Sequence, residues 1–83
     1  MANSNITQEY KGIKLVDIPS GLGGTLPAAI AGEPHSDGLV PVICLHSEFY
    51  TNWLMVCKPE SLRPMSSMLN TRMKRIINSR LVS

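Results

Sequence analysis

The strongest constraint on the fold is a pair of short apolar segments, residues 39–46 and 53–58, joined by a polar and aromatic loop at residues 47–52. Both segments are rich in residues that favour strands, so the pattern predicts a β-hairpin with a long loop. Side chains alternate between the two faces of a strand, and both faces of this hairpin are apolar. A hairpin of this kind has to be covered on both sides, by other strands, by a helix or by a second subunit.

The two cysteines suggest a register for the hairpin. If Cys44 lies opposite Cys57, Val42 falls opposite Pro59. Val42 and Cys44 then share one face of the hairpin with Met55, because the side-chain period of a strand is two residues. The opposite face carries Ile43, Leu45, Leu54 and Val56.

Two further strands are predicted before the hairpin, at residues 13–18 and 25–32. A glycine-rich loop, SGLGG, separates them, because glycines favour bends and positive φ angles. Pro27 lies within the second strand and cannot donate a ladder hydrogen bond, so this strand is expected at an edge or with a bulge. Residues 1–8 are mostly small and polar, and we expect them to form a flexible tail.

Beyond residue 60 the apolar residues recur at spacings of three and four, which predicts an amphipathic helix over residues 61–83. Ser61 is an acceptable N-cap, and an onset near Met65 fits as well. The expected fold is therefore α+β: a small antiparallel sheet of about three to five strands, then a C-terminal helix, with residues 9–83 as one domain. The apolar positions of the predicted helix are Leu62, Met65, Met68, Leu69, Met73, Ile76, Ile77 and Leu81.

The order of these parts resembles a small SH3-like β-barrel. The segments GIKLVDI, SGLGG, TLPAAIAGE, VPVICLH and WLMVCKPESLRP follow one another as strand, irregular loop, strand and closing hairpin with a helical turn. The resemblance covers residues 10–64 and does not include the C-terminal helix. The chain has only four aromatic residues, fewer than the proline-binding groove of signalling SH3 domains requires. The resemblance therefore implies a binding module whose ligand is a protein or a nucleic acid, with the function not fixed by the fold.

The expected location of the protein follows from two absences in the sequence. No apolar segment approaches the eighteen or so residues of a membrane span, and the N-terminus lacks the pattern of a signal peptide. We therefore expect a cytoplasmic protein without a membrane partner, in which Cys44 and Cys57 are reduced thiols. The low charged fraction of 17% favours self-association or a partner surface. Because the hairpin is apolar on both faces and the helix has a Met/Ile face in so short a chain, we expect a homodimer.

Cys44, His46 and Cys57 are the residues with metal-binding chemistry, and such a set can hold zinc with His35 or a carboxylate as the fourth ligand. The tight CxxC spacing of most structural zinc sites is missing. Buried thiols are therefore the favoured interpretation, and zinc stays an alternative. The sequence also has no motif for a catalytic nucleophile or a phosphate-binding loop. We expect a non-enzymatic protein with no catalytic residues and no cofactor.

Three of the four aromatic residues lie at or beside the hairpin loop: Phe49, Tyr50 and Trp53. Trp53 can simply pack into the core, since the burial of an aromatic side chain is strongly favourable. As a group, however, these three are the predicted contact residues for a protein partner. We therefore expect a small module that binds a protein, as a regulator or an inhibitor of the kind found on phages and other mobile elements.

The charge of the chain is divided between its two parts. Residues 1–60 hold three lysines against six acidic residues, whereas residues 61–83 hold five basic residues and no acid. Most charge runs only solvate a helix face, but this one makes DNA or RNA binding the alternative function. The net charge of +2 argues against strong non-specific binding to nucleic acids. The candidate contact residues are Arg72, Lys74, Arg75 and Arg80.

Overall fold

The computed structural model of the chain describes residues 8–46 and 54–82. Its elements are β1 (Gln8–Tyr10), β2 (Ile13–Pro19), β3 (Thr25–Ile30), β4 (Val40–Cys44), β5 (Leu54–Cys57), a 3-10 helix (Pro59–Ser61), β6 (Arg63–Pro64) and α1 (Thr71–Arg80). Within the described residues the strands form one antiparallel sheet in the order β1-β2-β3-β4-β5, and β6 pairs with β2. An α-helix follows the sheet, which confirms the predicted α+β class.

The strands that the sequence predicts are all present, as β2 to β5. β1 is an addition to them, and it pairs with β2 through a two-residue turn at Lys11 and Gly12. Both turn residues have positive φ angles, 53° and 82°, as a type I′ turn requires. A lysine adopts this backbone at a cost of about 1 kcal/mol, so the turn depends on the packing of the strands that it joins.

Two prolines delimit the ladder between β3 and β4. The Pro27 carbonyl accepts a hydrogen bond from the Leu45 N–H at 2.8 Å, and the Pro41 carbonyl accepts one from the Ala31 N–H at 2.8 Å. Each of these pairs lies just outside the ladder and lacks the return bond, because proline has no N–H. The prediction that Pro27 places β3 at an edge or in a bulge is wrong, since β3 pairs with both β2 and β4 and its register with β2 is continuous through Pro27.

Both faces of the sheet carry a cluster of buried side chains. Adjacent residues such as Val42 and Ile43 belong to different clusters, and all of β4 is buried. Coverage of both faces, which the apolar pattern predicts, is therefore confirmed for β4. The first cluster lies under α1 and consists of Leu15, Ala29, Ile43, Leu45, Met65, Met73, Ile76 and Ile77. The second cluster, on the other face, consists of Val16, Ile18, Ala28, Val40 and Val42.

The hairpin of β4 and β5 has a different register from the predicted one. Val42 lies opposite Met55 instead of Pro59, and Cys57 lies opposite Val40. In the predicted register, residues 40–43 would pair with residues 58–61. A 3-10 helix begins at Pro59 and ends β5 before these residues, so the predicted pairing of the two cysteines is wrong. The displacement is an even number of residues, so each side chain still points to the face that alternation predicts.

α1 is shorter than the periodicity predicts. It begins at Thr71, where the Asn70 side chain caps it by accepting a hydrogen bond from the Met73 N–H at 2.9 Å. Of the apolar residues before this cap, Met65 is buried under α1, whereas Met68 is 85% exposed. The predicted onset at residue 61 or 65 is therefore wrong. No helix within the described residues is long and apolar enough to cross a membrane.

A buried carboxylate explains why the segment before α1 is not helical. Asp17 on β2 is 5% exposed, and its Oδ2 accepts hydrogen bonds from the Ser66 N–H at 3.1 Å and the Ser66 hydroxyl at 2.8 Å. The Thr25 hydroxyl lies 3.5 Å from the same oxygen. A buried charge requires such donors. Ser66 is consequently fixed against β2, directly after β6 has paired with the same strand.

As far as its described strands go, the sheet is compatible with the SH3-like order of parts, but it does not close into a barrel. After β5, the 3-10 helix at Pro59–Ser61 leads into β6, which returns to pair with β2. Among the described strands, β5 pairs with β4 alone. Its other edge is therefore open in this part of the chain.

Replacing Ser66 by alanine removes a hydroxyl donor from the buried Asp17 carboxylate. We expect the free energy of unfolding to fall by about 1–3 kcal/mol, because a hydrogen bond to a charged group is lost. Denaturant unfolding followed by circular dichroism measures the change. Ser67→Ala is the matched control, since Ser67 is exposed and accepts its hydrogen bond from Gln8 through the backbone carbonyl. Equal stabilities of the two variants would contradict the anchoring role of Ser66.

Candidate interaction surfaces

The first candidate surface is the strand Leu54–Cys57, which we call the β5 edge. Leu54 is 63% exposed and Val56 is 46% exposed, whereas Met55 and Cys57 pack against the second cluster. No charged residue lies within this strand. Natural proteins usually protect an open strand edge with charged residues or with a covering element. The β5 edge combines an open edge with exposed apolar side chains.

The backbone of the β5 edge also points outward at two residues. In β4, the Pro41 carbonyl bonds to Ala31, on the side of β3. The direction of the backbone N–H and C=O groups alternates along a strand. Those of Val40 and Val42 therefore face β5, where these residues pair with Cys57 and Met55. Leu54 and Val56 therefore direct their N–H and C=O groups away from β4.

α1 leaves this part of the sheet uncovered. Its buried side chains pack on residues of β2, β3 and β4 in the first cluster. Leu54 lies opposite Ile43 and shares its face of the sheet, but neither Leu54 nor Val56 belongs to that cluster. Within the described residues, neither another strand nor α1 covers this face of β5. Of the three kinds of cover that the sequence predicts, a second subunit is left for this face, and it stays a prediction.

The predicted protein contacts Phe49, Tyr50 and Trp53 lie outside the described residues, so their role stays a prediction. Trp53 immediately precedes Leu54, and the loop therefore leads directly into the β5 edge. Leu54 and Val56 were not predicted as surface residues. The alternation of apolar residues predicts the face of the sheet to which both side chains point. Whether α1 covers that face depends on where the helix packs, which the alternation does not indicate.

The second candidate surface is a groove between β1 and α1, which we call the Tyr10 groove. The Tyr10 hydroxyl accepts a hydrogen bond from Asn78 Nδ2 at 3.1 Å, and Lys11 Nζ donates one to Asn78 Oδ1 at 3.0 Å. Lys11 Nζ lies 5.4 Å and Lys74 Nζ lies 5.8 Å from the centroid of the Tyr10 ring, within the range of cation–π interactions. The groove is lined by Tyr10, Thr71, Lys74, Arg75, Asn78 and Ser79.

The structure brings only part of the predicted basic group together in this groove. All four candidate residues are exposed on α1: Arg72, Lys74, Arg75 and Arg80. Lys74 and Arg75 line the Tyr10 groove, and the other two do not. Tyr10 and Lys11 were not predicted to take part. No sequence signal indicates a contact between residues that are 68 positions apart, as Tyr10 and Asn78 are.

The arrangement that a zinc site between the two strands would need is not formed. Cys57 lies opposite Val40 and not opposite Cys44. Cys44 is 2% exposed, while His46 is exposed and directs its backbone N–H toward the Cys44 sulfur at 3.4 Å. Among the described residues, no group of three His, Cys, Asp or Glu side chains lies close enough to hold a metal ion. Both cysteines are free thiols; Cys44 is buried, as predicted, whereas Cys57 is only partly buried because it lies on the outermost strand of the described sheet.

No protein-family model matches the chain. A search of curated proteins and a search of solved structures find no match either. The two surfaces therefore have to be interpreted from their own geometry and chemistry.

Burial raises the pKa of the Cys57 thiol. At any given pH a smaller fraction of Cys57 is therefore thiolate than for an ordinary cysteine, and the thiolate is the form that reacts. We expect the rate of alkylation by iodoacetamide to reach its half-maximum at a higher pH for Cys57 than for glutathione. Mass spectrometry over a pH series measures this, with the unfolded chain as control. A midpoint below that of glutathione would contradict the burial of this thiol.

Proposed function

We propose that the chain is a non-enzymatic protein-interaction module that binds its partner by strand addition at the β5 edge. The observation that carries the proposal is the combination, at Leu54 and Val56, of exposed apolar side chains with outward-directed backbone groups. Strand addition uses both features, because backbone hydrogen bonds provide affinity and alternate side chains provide specificity.

The chemistry of the edge defines the kind of segment that fits it. The segment is extended and apolar at alternate positions, so that its side chains cover Leu54 and Val56. Each CH2 group that is buried there contributes about 0.8 kcal/mol. The segment lacks proline wherever its own N–H has to reach a carbonyl of the edge. Such an interface buries less than the roughly 1,200 Å² of a standard interface, so the expected affinity is modest.

Two features of the sequence support a binding role. The SH3-like order of parts over residues 10–64 resembles that of domains that act as binding modules, although the fold alone does not fix a function. The predicted contact residues Phe49, Tyr50 and Trp53 stand directly before the β5 edge in the chain. A module with one short recognition edge suits a small regulator or inhibitor that acts by occupying a site on another protein.

Selection from a displayed library of random peptides tests this function without a known partner. We expect the enriched peptides to alternate apolar and polar residues, and their affinity to fall at least tenfold (about 1.4 kcal/mol) in a Leu54→Lys/Val56→Lys variant. A charged side chain at these positions has to lose its hydration when a strand covers it.

Leu22→Lys is the matched control, because Leu22 is 100% exposed and lies in the glycine-rich loop. Its affinity for the selected peptides should equal that of the wild type. Peptides that bind the β5 variant and the wild type equally well would show that the edge is not the binding surface.

A second function, nucleic-acid binding, is favoured by the Tyr10 groove. Lys11 and Lys74 approach the same aromatic ring from two different elements, and Thr71 and Ser79 add hydroxyl groups beside them. Cations next to an aromatic ring are typical of sites that bind the backbone and the bases of a single strand. The net charge of only +2 keeps this the less favoured function.

A Lys11→Gln/Lys74→Gln variant tests this second function. If both lysines contact phosphates of a single-stranded oligonucleotide, the log–log salt slope of binding should fall by about 1.4, or about 0.7 for each contact. Fluorescence anisotropy over a salt series measures the slope. Lys14→Gln is the control, since Lys14 is exposed but does not line the groove. An unchanged slope in the double variant would exclude the groove as a single-strand-binding site.

A further inference from the structure

We propose that the strand added at the β5 edge is β5 of a second copy of this chain, an inference that rests on the proposed function. The two sheets then join edge to edge in antiparallel orientation, about a twofold axis at Met55. Three properties of the described residues support this pairing: the contrast between the two outer strands, the fit of β5 to itself, and the weak charge of the chain.

The two outer strands of the sheet differ in how they are protected. β1 carries Glu9, and the Gln8 side chain ties it to the segment after β6, donating to the Met65 carbonyl at 2.8 Å and the Ser67 carbonyl at 3.0 Å. β5 has no charged residue, and its Leu54 side chain is 63% exposed. An apolar strand edge without such protection pairs with other strands. In any solution of the protein, other copies of the same chain are available to pair with this edge.

β5 also fits itself in antiparallel pairing. The register that uses both outward-facing residues places Leu54 opposite Val56 of the second copy, and Val56 opposite Leu54 of the second copy. Both pairs then exchange backbone N–H to C=O bonds, since these residues direct their backbone groups away from β4. The twofold operation sets the two apolar pairs side by side on one face, so each copy covers the exposed side chains of the other.

Charge does not oppose this pairing. The net charge of each copy is only +2, and the strand itself is uncharged. At physiological ionic strength the remaining charges are screened over about 8 Å. Because the strand is short, the interface is small, and we expect a dissociation constant in the micromolar range with a concentration-dependent monomer–dimer equilibrium.

Sedimentation equilibrium from low to high micromolar concentration tests the pairing. We expect the wild type to dimerise, and the Leu54→Lys/Val56→Lys variant to have a dissociation constant at least tenfold higher. Val56→Pro should weaken the dimer as well, because it removes an N–H that β4 does not use. Leu22→Lys should leave the equilibrium unchanged, and circular dichroism verifies that each variant is folded.

A wild-type chain that stays monomeric at high micromolar concentration overturns the inference, and so does a dimer that is insensitive to both β5 variants. A monomer that still binds the selected peptides at the β5 edge overturns self-pairing alone and leaves the proposed function standing. A dimer that dissociates when a selected peptide is added supports both, because peptide and second copy then compete for the same edge.

Discussion

The hydrogen bonds between the buried Asp17 carboxylate and Ser66 fix the position of the segment that follows β6 and leads into α1. The carboxylate is taken out of water on β2 and needs donors, and Ser66 provides two of them. This contact, together with the pairing of β6 with β2, returns the chain to the middle of the sheet. Met65 is thereby buried, and α1 begins after Asn70 in a position to cover one face of β2, β3 and β4.

The open β5 edge is a consequence of this arrangement. A ten-residue helix that follows a return to β2 covers the neighbouring strands, and β5 lies at the end of the sheet. On the other face of β5, Met55 and Cys57 are packed against the second cluster, so the strand is held in the sheet while its Leu54 and Val56 side chains remain exposed. The edge is therefore held by β4 and by one core cluster, so the strand that the proposed function requires is preformed. A preformed binding element loses less conformational entropy on binding.

The sequence predicts the kinds of element well and their relations less well. Alternation of apolar residues is a local signal, and it identifies four strands and the face to which Leu54 points. The register of the hairpin depends on the 3-10 helix at Pro59–Ser61, and the start of α1 depends on Asn70 and on the distant contact between Asp17 and Ser66. The 3-10 helix and the Asn70 cap are local features that the apolar period does not report. The contact between Asp17 and Ser66 is a tertiary constraint, and it overrides the helical period of residues 61–70.

We propose that the backbone N–H and C=O groups of Leu54 and Val56 form no hydrogen bonds with β4 in the monomer and pair with another strand. Amide hydrogen exchange, resolved by NMR at low and at high protein concentration, tests it residue by residue. In dilute solution the amides of Met55 and Cys57 should exchange slowly, while those of Leu54 and Val56 exchange fast. At high concentration the latter two should become protected as the edges pair. Protection of Leu54 and Val56 that is the same at every concentration, whether high or absent, would contradict the account.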